Sequence, residues 1–147
     1  MIRILGVLVP TMVAAALLAG SALAQGSCSG DRIGEPADTT TLENTLEGNL
    51  VCGSEIGGSD TWQEVHESDG DLFEIAQGPN DPVDPSHVVG TWGIQAGTDG
   101  NDEVCYTYGS QTFCFRLYAN NGGTYTYCTT GNQPVATATI INSSGSC

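Results

Sequence analysis

Beyond residue 48, apolar and polar positions alternate with a period of two along most of the chain. The last third shows it best. There "VCYTY", "TFCFRLY", "TYTYC" and "VATATII" set aromatic or β-branched residues at every second place, separated by Gly-Ser, Asn-Asn-Gly-Gly and Thr-Gly-Asn-Gln-Pro. Such alternation marks strands with one face on a core and one in water. Upstream, residues 49–52 read as a first strand, and "TWQEVHESDGDLFEIA" reads as two strands about Asp69-Gly70. In that hairpin His66 lies opposite Phe73 and Glu64 opposite Ile75, so Trp62, Glu64 and His66 share a face with Phe73 and Ile75. Three prolines keep "QGPNDPVDPSH" out of a sheet interior and make it a surface loop, with His87 a surface residue at its end. "VVGTWGIQA" is the next strand, with Trp92 and Ile94 on one side.

The period changes once. In "DTTTLENTLEGN", Leu42 and Leu46 fall on one face of a short helix that Asp38 caps and Gly48 ends. One short helix and about eight antiparallel strands predict an all-β fold, an up-and-down barrel or a sandwich. Closure into a barrel is the better expectation, because it leaves no open edge through which an exported protein would aggregate.

The stretch "VCYTYGSQTFCF" fixes one register outright. With Gly109-Ser110 as a two-residue turn, Tyr108 pairs with Gln111, Tyr106 with Phe113, and Cys105 falls opposite Cys114. Directly opposed Cα atoms stand within reach of a disulfide. The other four cysteines admit three pairings. Cys28–Cys52 with Cys128–Cys147 is the simplest, since each bond then ties one terminus to the sheet.

The first 24 residues carry Arg3, an apolar run over residues 4–19 and Ala22-Leu23-Ala24 as an A-x-A site, which reads as a secretory signal peptide cut after Ala24. The run is too short for a membrane anchor, and Gln25-Gly26-Ser27 before Cys28 is no lipobox. The expected organisation is a signal peptide over 1–24, an irregular arm over 25–37 held through Cys28, and one β-barrel-like domain over 38–147. An even cysteine count in an exported chain points to disulfides, and the wide spacings do not fit a cysteine-ligated metal. The expected location is the periplasm or the medium.

Composition then divides the chain. The mature part has no lysine and sets Arg32 and Arg116 against 17 acids, a net charge of −15 that repels nucleic acid and anionic membrane surfaces. All the acids lie within residues 31–103, whereas residues 104–147 have none and carry seven of the ten aromatics. Acids at this density keep a small protein soluble; read more sharply, they offer an acidic face to a basic partner.

Three sets of residues are candidates for chemistry. Counting through Asn121-Gly122 puts Tyr118 opposite Tyr125 and Arg116 opposite Tyr127, on the face of the Cys105–Cys114 bridge, with Phe113, Phe115 and Leu117 on the other. With the Phe side inward, Arg116, Tyr118, Tyr125 and Tyr127 form an outward aromatic and cationic patch. A ladder of cross-strand pairs that only holds the sheet is the alternative, and a change of one residue in the loop would turn the tyrosines inward. Glu64 and His66, two apart on one strand, are the only pair suited to acid/base work, because burial would perturb both ionisations. Trp62, Trp92 and the Phe113 and Phe115 face would line an interior able to take an apolar ligand. No G-x-S-x-G elbow, H-E-x-x-H helix or Walker loop occurs, and no cofactor is expected. "SDGDLFE" and "TDGNDE" combine carboxylates and glycine without the spacing of a calcium loop, so no metal is expected.

"LEGNLVCG", "WQEVH", "DPVDPSHVVGTW" and the Tyr-rich end with Cys147 resemble a group of small exported β-rich proteins, mostly proteobacterial, with no established activity. That resemblance implies export and a disulfide-held β fold and carries over no functional residue. "VGTW" is also similar to the G-x-W element of calycin-type barrels, where it opens the first strand; here Gly90 to Trp92 lie mid-chain. In size, export and disulfide use the chain resembles small periplasmic barrels that inhibit lysozymes or proteases. The leading expectation is a monomeric, non-enzymatic binding protein for a basic envelope or extracellular protein. A small barrel for apolar ligands comes second, and a hydrolase using Glu64 and His66 third.

Overall fold

A computed structural model describes residues 28–75 and 87–147. The signal-peptide expectation and most of the proline-rich loop lie outside them. In chain order the elements are β1 (Asp31–Ile33), α1 (Thr39–Leu46), β2 (Asn49–Glu55), β3 (Thr61–His66), β4 (Asp71–Glu74), β5 (His87–Ala96), β6 (Asp102–Tyr108), β7 (Gln111–Ala119), β8 (Thr124–Cys128) and β9 (Pro134–Asn142). Every ladder is antiparallel, and β7 pairs with β8 to close β2 through β9 into an eight-stranded barrel. β1 is the extra strand, lying along β7 beyond the end of the β6 ladder, so the arm is regular at Asp31–Ile33.

An eight-stranded barrel is just wide enough for side chains to fill. Here one end is filled. The inward side chains Val51, Leu72, Val104, Leu117, Tyr127, Ala136 and Ala138 form the core. The i, i+4 pair of α1, Leu42 and Leu46, closes it from below, both fully buried, at the end that carries the β3–β4 and β5–β6 turns. Full burial of two leucines contributes about 2 kcal/mol each, which holds so short a helix in place.

The Gly109-Ser110 hairpin has the expected register, with Cys105 bonded to Cys114. Gly109 has φ 59°, as the first position of a type II′ turn requires, and counting back makes Cys105 and Cys114 a non-hydrogen-bonded pair, with Cα atoms 4.0 Å apart.

Two other registers differ by one residue, for the same reason. At the β3–β4 turn the ladder continues to Glu67 and Asp71, leaving a three-residue loop over 68–70, so His66 faces Leu72 and Glu64 faces Glu74. Phe73 lies opposite Val65 on the outer face, and Ile75 bonds to Gln63 rather than facing Glu64. At the β7–β8 turn Asn120 bonds to Thr124, leaving residues 121–123 as the loop, so Tyr118 faces Thr126 and Arg116 faces Cys128.

The terminal disulfides are Cys28–Cys128 and Cys52–Cys147, which corrects the expected Cys28–Cys52 and Cys128–Cys147. Sheet neighbours decide this, not sequence neighbours. β1 runs on β7, next to β8, whose last residue is Cys128; β2 carries Cys52 beside β9, after which the chain ends at Cys147. Three disulfides accord with an oxidising compartment. Among the described residues no helix is long and apolar enough to cross a membrane.

Candidate functional site: the open mouth of the barrel

The end opposite α1 is not filled. Between the β2–β3, β6–β7 and β8–β9 connections a cavity of about 320 Å³ opens, walled by Trp62, Tyr106, Tyr108, Phe113, Phe115 and Tyr127, with Val135 and Ala136 on the β9 side. The aromatic walls and Glu64 point inward because of their place in the alternation. Trp62 and Glu64 alternate along β3, Tyr106 and Tyr108 along β6, and Phe113 and Phe115 along β7. Trp62 lies across its cross-strand neighbour Gly53, where a Cβ would meet the indole at 2.0 Å, so only glycine lets the ring lie flat there. The rings brace one another: Phe115 meets Tyr127 edge-on at 6.1 Å, and Tyr106 stacks on Tyr108 at 6.5 Å. Phe113, at the lip, is 45% exposed.

Among the described residues Glu64 is the only ionisable carboxyl in this wall. It is 7% exposed and accepts the Tyr108 hydroxyl at 3.0 and 3.2 Å. Burial pushes its pKa from 4.5 up to about 7; the Tyr108 bond works against that rise, and the charge of Glu74 opposite adds to it. The Tyr108 hydroxyl is itself pushed well above its ordinary range, first by burial and then by Glu64. No cation reaches Glu64 among the described residues. Arg32 and Arg116 both bind Asp99 on the outer wall at the other end, and Arg116 Nε also binds Glu103 at 3.2 Å.

His66 lies one layer deeper, wholly buried, and does not line the cavity. Its Nε2 is 3.0 Å from the Tyr106 hydroxyl, which is 3.2 Å from that of Tyr127. Its Nδ1 meets no hydrogen-bond partner of good geometry among the described residues. Burial pulls the imidazole down from 6.5 to about 4, with the Glu64 backbone pulling weakly the other way, so the ring is neutral at pH 7. Glu64 and His66 do share the inner face, and each is shifted chiefly by its own burial. Only Glu64 is in a position to meet a ligand.

The four residues of the expected outward patch are divided by the register. Tyr127 is buried in the core and Tyr125 packs against it, whereas Arg116 and Tyr118 face out, Arg116 tied to Asp99 and Glu103 and Tyr118 donating to Asn132 Oδ1 at 3.2 Å. The patch therefore does not exist as a unit. Trp62, Phe113 and Phe115 do meet at the cavity. Trp92 does not. Its indole N–H donates to the Glu67 carbonyl at 2.9 Å, and the ring packs edge-on to His66, nearer the helix-capped end. His87 is exposed, 3.8 Å from Glu74. Asp99 of "TDGNDE" is occupied by the two arginines, and among the described residues no cluster of three or more His, Cys, Asp or Glu is arranged to hold a metal ion. The sequence reading missed Tyr106 and Tyr108 as site residues, although the Gly109-Ser110 register already put them on the Phe113 face.

Compared with protein-family models, curated proteins and solved structures, the chain matches none.

Proposed function

We propose that the protein binds a small organic molecule in the mouth of the barrel, as an exported, monomeric, non-enzymatic binding protein. The observation that carries this is the 320 Å³ cavity to which the described residues contribute six aromatic walls and a single buried acid. Ligand sites are concave, largely apolar and fitted with few polar groups, and this volume lies at the small end of their range. The walls come from five strands of a closed barrel pinned by three disulfides, so the site is preformed and little ordering cost falls on binding.

The two tryptophans provide the test, because Trp62 lines the cavity and Trp92 lies away from it. In a titration with small aromatic compounds, the indole N–H resonance of Trp62 shifts and saturates while that of Trp92 stays in place. Equal movement of both, or of neither across neutral, cationic and anionic members of the panel, removes the reading.

A second reading, a basic protein partner, draws on the distribution of charge. Glu43, Glu47 and Asp69 line one groove at the helix-capped end, and both described arginines are already occupied by acids. Such a face would steer a basic partner, chiefly through its on-rate. Envelope extract passed over the immobilised protein at low and at moderate salt tests it; failure to retain a basic protein at low salt, where steering is strongest, ends it.

A further inference from the structure

Three features of the mouth point in one direction. It holds a carboxyl group, Glu64, that is more than nine-tenths buried, faces the cavity and has no cation among the described residues to meet it. Its one hydrogen-bond donor among the described residues, the Tyr108 hydroxyl, is neutral. Around it stand π faces from Trp62, Tyr106, Tyr108, Phe115 and Tyr127, with Phe113 at the lip. Aromatic faces carry the negative side of a quadrupole and attract cations, more strongly when the cation is desolvated. The mature chain as a whole, at −15, raises the local concentration of cations and lowers that of anions. Glu103, by contrast, is a buried acid with a guanidinium partner, Arg116.

From this juxtaposition we infer that the ligand of the mouth is an organic ammonium ion, its charged nitrogen set against Glu64 and its alkyl or aryl groups against the ring faces. The inference rests on the mouth being a ligand site and adds the charge of the ligand. The ammonium cation supplies the counter-charge that Glu64 lacks, and the rings replace its water. Metal cations do not fit the described walls, because among the described residues the only side-chain oxygens beyond Glu64 are the neutral phenols of Tyr106, Tyr108 and Tyr127, while Trp62, Phe113 and Phe115 offer none.

Glu64 must be ionised to act in this way. Facing it are Tyr108 and Tyr106 from β6, Tyr127 from β8, Glu74 from β4 and His66 from its own strand, none of them a cation at pH 7. Binding therefore strengthens as pH rises through about 7 and is flat above it.

The experiment uses two isosteres that differ only in charge, phenyltrimethylammonium and tert-butylbenzene, read by the Trp62 indole resonance of the disulfide-bonded protein. The expected result is a cation bound roughly tenfold or more tightly than the hydrocarbon, the worth of a desolvated cation–π contact with a facing charge. Glu64→Gln, which keeps the Tyr108 bond and the shape, should bring the cation down to the hydrocarbon and abolish the rise with pH. If tert-butylbenzene binds as well as the cation, or Glu64→Gln leaves the preference intact, the ammonium assignment is overturned while the cavity reading stands. If neither compound moves Trp62, both fall. Competition by N-acetyl-lysine methylamide would place the ammonium on a protein side chain, and preference for the free quaternary ion would make it a small metabolite.

Discussion

Asp99, at the helix-capped end, lies in solvent between Arg32 and Arg116. The Arg32 bond, the Asn101 backbone N–H and the two positive charges hold it down to about 2. Glu64, at the mouth, lies under the surface with a tyrosine hydroxyl as partner and is pushed up to about 7. The same kind of group thus titrates on opposite sides of its ordinary range at the two ends of one barrel. At the first end both described arginines bind Asp99, Arg116 also binds Glu103, and α1 has closed the interior. At the second the chain has left a carboxyl uncompensated and the interior open. Structure is being stabilised at one end. At the other, stability is given up around a single residue, which is the usual mark of a site.

Removing Arg116 should make the settled end resemble the unsettled one. Arg116→Ala leaves Glu103, 5% exposed at its side chain, without its guanidinium and is expected to cost about 3 kcal/mol in urea denaturation. A loss well under 1 kcal/mol would mean that the cluster is an ordinary surface ion pair.

Glu64→Gln should have the opposite sign. Glu64 titrates at about 7 in the folded chain against 4.5 unfolded, so the folded state holds the extra proton between those values. Its contribution to stability therefore falls as pH rises from 4.5 and is fully lost above 7, and the substitution should restore up to roughly 3 kcal/mol at pH 8 and nothing near pH 4. His66 acts in the contrary sense. Depressed from 6.5 to about 4, it makes stability rise with pH across that interval. The wild-type curve should accordingly be nearly flat between pH 4.5 and 6.5, and the Glu64→Gln curve should climb there. Parallel curves would show that Glu64 is not buried as a carboxyl.

The disulfides sharpen the contrast between framework and mouth. Cys105–Cys114 joins residues 9 apart within the mouth hairpin, whereas Cys28–Cys128 and Cys52–Cys147 span 100 and 95. Loop entropy alone makes loss of a long bond costlier by about 2 kcal/mol than loss of the hairpin staple. Comparing the thermal midpoints of the three Cys→Ser pairs checks this. A smaller effect is expected at Tyr108, where Tyr108→Phe removes the bond to Glu64, costs about 1 kcal/mol above pH 7 and moves the Glu64 midpoint further up.

Legibility in the sequence followed loop length. Gly109-Ser110 specifies a two-residue turn, so the Cys105–Cys114 bond and the inward Phe113 and Phe115 follow from residue spacing alone. Asp69-Gly70 and Asn121-Gly122 also mark turns, but both sit in three-residue loops. One added residue reverses the side of every later position on a strand of period two. That single residue turned Tyr127 inward, split Arg116 and Tyr118 from Tyr125, and exchanged Phe73 for Leu72 opposite His66. Trp62 and Glu64 kept their inward face because β3 is also fixed from β2, through Gly53. The terminal disulfides were not legible, because they depend on β1 meeting β7 and β2 meeting β9, contacts that arise only when the barrel closes.

The ammonium assignment of the mouth depends on the ionisation of Glu64. A carbon-13 titration of its side-chain carboxyl should give a midpoint of about 7 in the free protein, and saturation with phenyltrimethylammonium should lower it, because a bound cation favours the carboxylate. A midpoint near 4.5 that the cation does not move would mean that the mouth carries an ordinary surface acid, and the contrast between the two ends of the barrel would be gone.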